Sequence, residues 1–300
     1  MEKKDFDLAY RRFSDAYFYD GQETPAPSGA ERYCSYDYCE VLNGLTFRVP
    51  MVGLGLGNDL RELVNCINRW KHSLGQWDVW NGVLEGYNED DAWDLRSEFV
   101  ESITYFCMFQ PSGMKDRFVR YITTLLHHAN MALDVSYLDR LAEDDKVYKN
   151  LENKKSRPYD VFLPKKELLE QVEKLAQNWS AAAVLLSTLV ALDDDGYRDV
   201  TADFRNKASH SIAPHFEFGQ TNMVTRQVGF ADRQVDLGDG QIGFVEDRTR
   251  KSVPYGFGGV LPLSLKDTYA ENKKQYDIAR QAWSACENLL KEVCEKLKAR

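Results

Sequence analysis

The sequence predicts a mainly α-helical fold: a helical bundle with a small antiparallel β excursion at about residues 220–263, before the C-terminal helix. Three observations predict it. Apolar residues recur at spacings of three and four over most of the chain, which is the period of a helix face. Beyond Pro214 that period gives way to β-branched and aromatic runs separated by glycine-rich turns. Helical spacing then returns from Leu265 to Lys298. With 300 residues, 43% of them hydrophobic, there is ample material for a substantial core. No internal repeat or low-complexity tract is present, and residues 1–300 read as one helical protein.

Phe6, Ala9, Tyr10, Phe13, Ala16 and Tyr17 predict an amphipathic first helix over residues 5–19. Residues 20–57 hold Gly, Pro and Ser clusters and predict an irregular connection with a strand at Leu45 to Val49. Gly53-Leu54-Gly55-Leu56-Gly57 has the look of a dinucleotide loop. Its third glycine is misplaced for GxGxxG, however, and no P-loop lysine follows. Asn58 is instead expected to cap a helix that buries Leu60, Leu63, Val64 and Ile67. A helix from Asp90 to Met108, with Trp93, Phe99, Ile103 and Phe106 inward, should stop before Pro111-Ser112-Gly113. Another should run from Met114 to about Leu133.

Residues 134–163 are charged and mixed. Lys165 to about Leu192 then reads as one long and central helix, through Leu168, Val172, Leu175, Trp179, Ala182, Leu186 and Leu189. Asp193-Asp194-Asp195-Gly196 lacks the spacing of a calcium loop and is expected to be a solvated turn. Four strands, Met223 to Phe230, Arg233 to Leu237, Gly240 to Asp247 and Ser252 to Leu263, should form an antiparallel meander turning at Gly238-Asp239-Gly240.

Net charge is −9, which argues against broad, nonspecific nucleic-acid binding but not against a local basic cleft. The N-terminal residues are charged, and Ala181 to Leu192 is too short to span a bilayer, so a cytoplasmic protein off the membrane is expected. The six cysteines form no CxxC pair and are expected to be reduced and mostly buried. His127 and His128, adjacent on a helix, point about 100° apart and cannot chelate one ion together. No metal or cofactor is expected, and no GxSxG or nucleophilic cysteine context is present. Tyr33-Cys34-Ser35-Tyr36-Asp37-Tyr38 reads as core or interface ahead of a base-stacking surface.

The stretch with chemistry in it is Asp203 to His215. On one helix Tyr197, Val200, Phe204 and Ala208 share an inward arc, while Asn206 and His210, four apart, share a second face. Arg205 lies between them, and Pro214 leaves His210 in the last turn. An imidazole titrates near neutral pH and can move a proton. A guanidinium is a fixed planar cation able to stabilise charge on a phosphorus centre. Arg120 and His127, seven apart, offer a looser pair in an apolar run where a buried or capping histidine is the commoner outcome.

The motif Arg205-Asn206-x-x-x-His210 resembles the signature of the HEPN superfamily of helical proteins, an Arg followed by four to six residues and a His, often with a polar residue after the Arg. The resemblance covers about residues 114–300, with 1–113 as an N-terminal helical extension. It implies a metal-independent endoribonuclease, homodimeric, of a toxin–antitoxin, phage-defence or RNA-processing kind. RNA is then the substrate, an antitoxin or other protein a partner, and Arg205 and His210 are catalytic with Asn206 in support. Superfamily toxins paired with a nucleotidyltransferase carry a modified Tyr two residues after the His. Ile212 stands there, so that mode of regulation is not expected. The alternative is a non-catalytic HEPN-like module binding nucleotide or protein.

Overall fold

Three long helices whose apolar stripes run their whole length make the core of the larger part of the fold. The computed structural model describes residues 1–18, 33–226, 228–238 and 241–299. In chain order the helices are α1 (Lys3–Phe18), α2 (Asp37–Asn43), α3 (Val52–Leu84), α4 (Glu89–Leu95), α5 (Glu101–Leu133), α6 (Asp144–Glu152), α7 (Lys165–Leu175), α8 (Ala182–Ala191), α9 (Asp195–Val200) and α10 (Phe204–His210). Strands β1 (Thr221–Arg226), β2 (Gly229–Gly238), β3 (Gln241–Ser252) and β4 (Tyr255–Val260) follow, and α11 (Leu265–Lys298) closes the chain. The fold is mainly α, with its β excursion immediately before the last helix. The chain divides into two compact units, Met1–Val200 with Lys266–Arg300, and Thr201–Leu265.

In the larger unit α3 buries Leu60, Val64, Ile67, Trp70, Trp77 and Trp80, and α5 buries Phe118, Ile122, Leu125 and Leu126. Helix α11 buries Ala279, Trp283, Cys286, Leu290 and Val293. These i, i+3, i+4 and i+7 sets are the stripes that drive the bundle together. Helix α1 docks through Phe13, stacked on Trp80 at 4.7 Å, and Phe99 stacks on Trp80 at 4.9 Å. All six cysteines are free thiols, five of them buried. No helix of the described residues is long and apolar enough to cross a membrane.

The glycine run lies inside the first turns of α3, and neither the strand at 45–49 nor the Asn58 cap is found. Its spacing has a packing cause. A Cβ on Gly53 would stand 2.5 Å from the Leu42 carbonyl oxygen. One on Gly57 would stand 2.5 Å from that of Cys39 and 2.6 Å from Asn43 Oδ1. The two buried glycines let α2 press its carbonyl end against α3, an approach no side chain permits. Residues 19–28 of the predicted first helix and connection lie outside the described residues, as do residues 29–32.

The break predicted at Pro111-Ser112-Gly113 is absent, and α5 runs through it. A proline in a helix removes the N–H that the carbonyl four residues back would accept. That carbonyl belongs to Cys107, and Asn272 Nδ2 donates to it at 3.0 Å. Asn272 also accepts from Trp70 Nε1 at 2.8 Å and donates to the Tyr197 hydroxyl at 2.9 Å, and it is fully buried. The helix expected before that break, Asp90 to Met108, also differs. A π-helical turn, Arg96–Val100, separates α4 from α5. It rotates the buried face onto Leu95, Val100, Thr104 and Cys107, leaving Trp93 56% exposed. Replacing Asn272 with leucine is expected to strand the Trp70 N–H and the Cys107 carbonyl. At about 2 kcal/mol for each orphaned buried group, a loss of about 4 kcal/mol should appear in urea unfolding.

The predicted helix from Lys165 to Leu192 is two helices, and neither is central. Asn130 Nδ2 donates to the Leu175 carbonyl at 2.9 Å, capping the end of α7. The Glu292 carboxylate accepts the Ser180 and Ala181 N–H groups at 3.1 and 2.9 Å, opening α8. Burial works against that charge, yet these bonds and the one from Lys296 hold the Glu292 carboxyl down at about 2. The acidic turn is only partly solvated. Asp193 is 6% exposed, and its carboxylate meets Arg198 Nη2 at 2.7 Å and Lys165 Nζ at 3.1 Å.

The four strands exist, but not as a meander. β1 pairs with β4 and β2 with β3, both antiparallel, so the strands form two two-stranded sheets, one pair nested within the other in chain order, a ribbon two strands wide. A bulge falls at Phe230/Ala231. Large apolar side chains of the described strands stay open to solvent: Phe244 is 67% and Phe257 91% exposed. Asp239 and Gly240 of the predicted turn lie outside the described residues.

Candidate functional site

The predicted site residues fall together on α10, seven residues long, in the smaller unit. The single helix expected from Tyr197 onward is interrupted by Thr201-Ala202-Asp203, and Val200, expected to face inward, is 54% exposed. Ala202 and Asp203 have φ of 50° and 52°. Left-handed backbone of this kind is unfavourable for residues with a Cβ, by about 1–2 kcal/mol each, and aspartate tolerates it best. Helix α10 starts afresh after this turn, anchored by Phe204, which is 1% exposed and packs on Phe216 at 5.4 Å. Beyond the helix, Glu217 N–H bonds to the Leu263 carbonyl and Leu263 N–H to that of His215, which closes the base of the ribbon.

A short polar chain runs along the start of α10. Asn206 Nδ2 donates to both carboxylate oxygens of Asp203, at 2.9 and 3.1 Å. Asn206 Oδ1 accepts from Arg205 Nη1 at 3.0 Å. The side-chain amide therefore orients the guanidinium, which gives the supporting role expected of Asn206 a definite partner. Arg205 makes no ion pair among the described residues, so its charge is not neutralised and the rest of its fork is available to an anion. His210 is the last residue of α10 and is exposed. Among the described residues its ring has no hydrogen-bond partner, and the terminal carbonyl of Lys207 is satisfied by the Ser211 N–H instead. A helix-capping role for His210 is thus not what the geometry provides.

The looser pair is not brought together as a site. His127 is 3% exposed, with Nε2 at 2.9 Å from Asp139 Oδ1 and Nδ1 at 3.2 Å from the Tyr137 hydroxyl. Both ring nitrogens are committed, as a structural histidine requires. Burial, and then the neighbouring His127, push the His128 imidazole pKa down. Arg120 lines a cavity on α5 that His127 does not reach. Among the described residues no group of three or more His, Cys, Asp or Glu is placed to hold a metal ion.

Sequence reasoning missed the partner that holds Asn206, the Asp203 carboxylate. The signal was there, a carboxylate three residues before an amide, but its use depends on the left-handed turn. It also missed the companion of Arg120, which is Arg117 on the same face of α5. Comparison of the chain with protein-family models, with curated proteins and with solved structures found no match.

Proposed function

We propose that the chain is a metal-independent endoribonuclease of the HEPN type, acting through α10. One observation carries the reading: on one short helix stand an exposed imidazole and a guanidinium that, among the described residues, have no hydrogen-bond partner and no ion pair respectively. The chemistry needs a group that moves a proton at the 2′-hydroxyl or at the leaving oxygen, and His210 is suited to it. It also needs a fixed cation beside the phosphorane, which Arg205 supplies while Asn206 and Asp203 hold its plane. Attack by the 2′-oxygen on phosphorus expels the 5′-oxygen, so the products are a 2′,3′-cyclic phosphate and a 5′-hydroxyl.

A homodimer belongs to this reading, because two copies of α10 would double the cations over one scissile phosphate. In support, the same unit carries a ribbon whose Phe230, Ile242, Phe244 and Phe257 are exposed. Two-stranded ribbons are marginal alone, and exposed apolar surface of this kind favours a protein partner. That ribbon also favours the second reading, a non-catalytic module bound to another protein. Incubation with RNA in EDTA separates them. The nuclease reading expects cleavage to cyclic-phosphate ends and none of a 2′-deoxy oligonucleotide of the same sequence. Cleavage of both, cleavage only with added divalent ions, or no cleavage would overturn it.

A further inference from the structure

A cavity of about 670 Å³ in the larger unit has a composition that points to a ligand. Its volume lies within the range of about 300–1,000 Å³ common to small-molecule sites. Arg117 and Arg120 of α5 both line it. Both are exposed, and neither makes an ion pair among the described residues. The Arg117 guanidinium lies over Gly113, with Nη1 2.9 Å from where a Cβ would stand, so the bare backbone gives it room. Two arginines three apart share one helix face, a spacing that lets both reach a single phosphate or carboxylate group.

The other walls exclude a bare anion. Asp59 and Glu62 of α3 line the same cavity, as does Glu143, which accepts from Gln171 Nε2 at 3.1 Å. Three carboxylates outweigh two guanidinium groups, so inorganic phosphate alone gains little here. The lining favours a ligand with an anionic end and N–H donors elsewhere. Tyr159 and Phe162 also border the cavity, 74% and 79% exposed, with ring faces available to a flat aromatic system.

We propose that this cavity binds a purine nucleoside monophosphate. Arg117 and Arg120 take the phosphate, Tyr159 or Phe162 stacks on the base, and Asp59 and Glu62 accept from N–H groups of the base or hydroxyls of the ribose. The proposal uses residues separate from α10 and does not depend on ribonuclease activity.

Isothermal titration of the full chain with GMP and with AMP tests it, with ribose 5-phosphate, guanosine and inorganic phosphate as truncated probes. Saturable binding of at least one nucleotide is expected, tighter than that of any truncated probe. Arg120→Ala should weaken it by about tenfold or more, the loss of a charge-assisted bond. Phe162→Ala should weaken it several-fold, and His210→Ala should leave it unchanged. Both cavity side chains are exposed, so their variants should keep the wild-type melting temperature. Absence of saturable binding, indifference to Arg120→Ala, equal binding of inorganic phosphate, or loss of binding in His210→Ala would each overturn the proposal.

Discussion

His210→Ala is expected to lower RNA cleavage in EDTA by about 10²–10⁴-fold, the range associated with a positioned proton-transfer group. Its thermal midpoint should stay close to that of the wild type. The side chain is exposed, has no hydrogen-bond partner among the described residues, and is the last residue of its helix. Surface changes of this kind fall within about 0.5 kcal/mol. Arg205→Lys is a sharper companion, because a lysine keeps the charge but loses the planar fork that Asn206 orients. Its cleavage should fall with the melting temperature unchanged. A variant that melts several degrees lower while cleaving normally would assign His210 to the stability of the helix end.

The second large effect is on stability and sets two neighbouring glycines against each other. Gly57→Ala places a Cβ at 2.5 Å from the Cys39 carbonyl oxygen, which is backbone and cannot swing aside. Alanine in place of glycine favours a helix by about 1 kcal/mol, whereas overpacking costs about 3 kcal/mol. The clash wins, and a net loss of about 2 kcal/mol or more should appear in the urea midpoint. At Gly55 nothing lies within 4 Å of the added Cβ, so the helix term acts alone and Gly55→Ala should gain up to about 1 kcal/mol. Equal effects at both positions would contradict close packing as the origin of the glycine run.

Local pattern reached far into this fold. The stripes that make α1, α3, α5 and α11 are visible as apolar spacing, and the limits of α11 match Leu265 to Lys298. What the pattern hid are features decided by residues remote in sequence. Helix α5 survives Pro111 because Asn272 supplies the missing donor to Cys107. The apolar run after Lys165 divides because Asn130 and Glu292 cap the two new ends. No periodicity over a window of neighbours carries such information. The strand texture before α11 was equally plain, but its nesting was not, because the residue types that favour strands do not say which strand pairs with which.

The candidate site was legible to the same depth. The i, i+4 spacing of Asn206 and His210 and the stop near Pro214 are local, and α10 keeps both. The left-handed pair Ala202 and Asp203 is not local in origin, since neither residue prefers that backbone. It ends the preceding helix and brings the Asp203 carboxylate to Asn206. The amide thereby serves the guanidinium.

Cleavage through α10 requires His210 to meet a phosphate, and the ring signals of the five histidines can be followed by NMR for this. The measurement is a titration of the full chain with a non-cleavable 2′-deoxy-substituted RNA, in EDTA. The His210 ring signal, assigned by its loss in His210→Ala, is predicted to shift progressively and saturate. Those of buried His127 and half-buried His128 should stay in place. A His210 signal that remains fixed while the RNA is shown to be bound would contradict the ribonuclease reading.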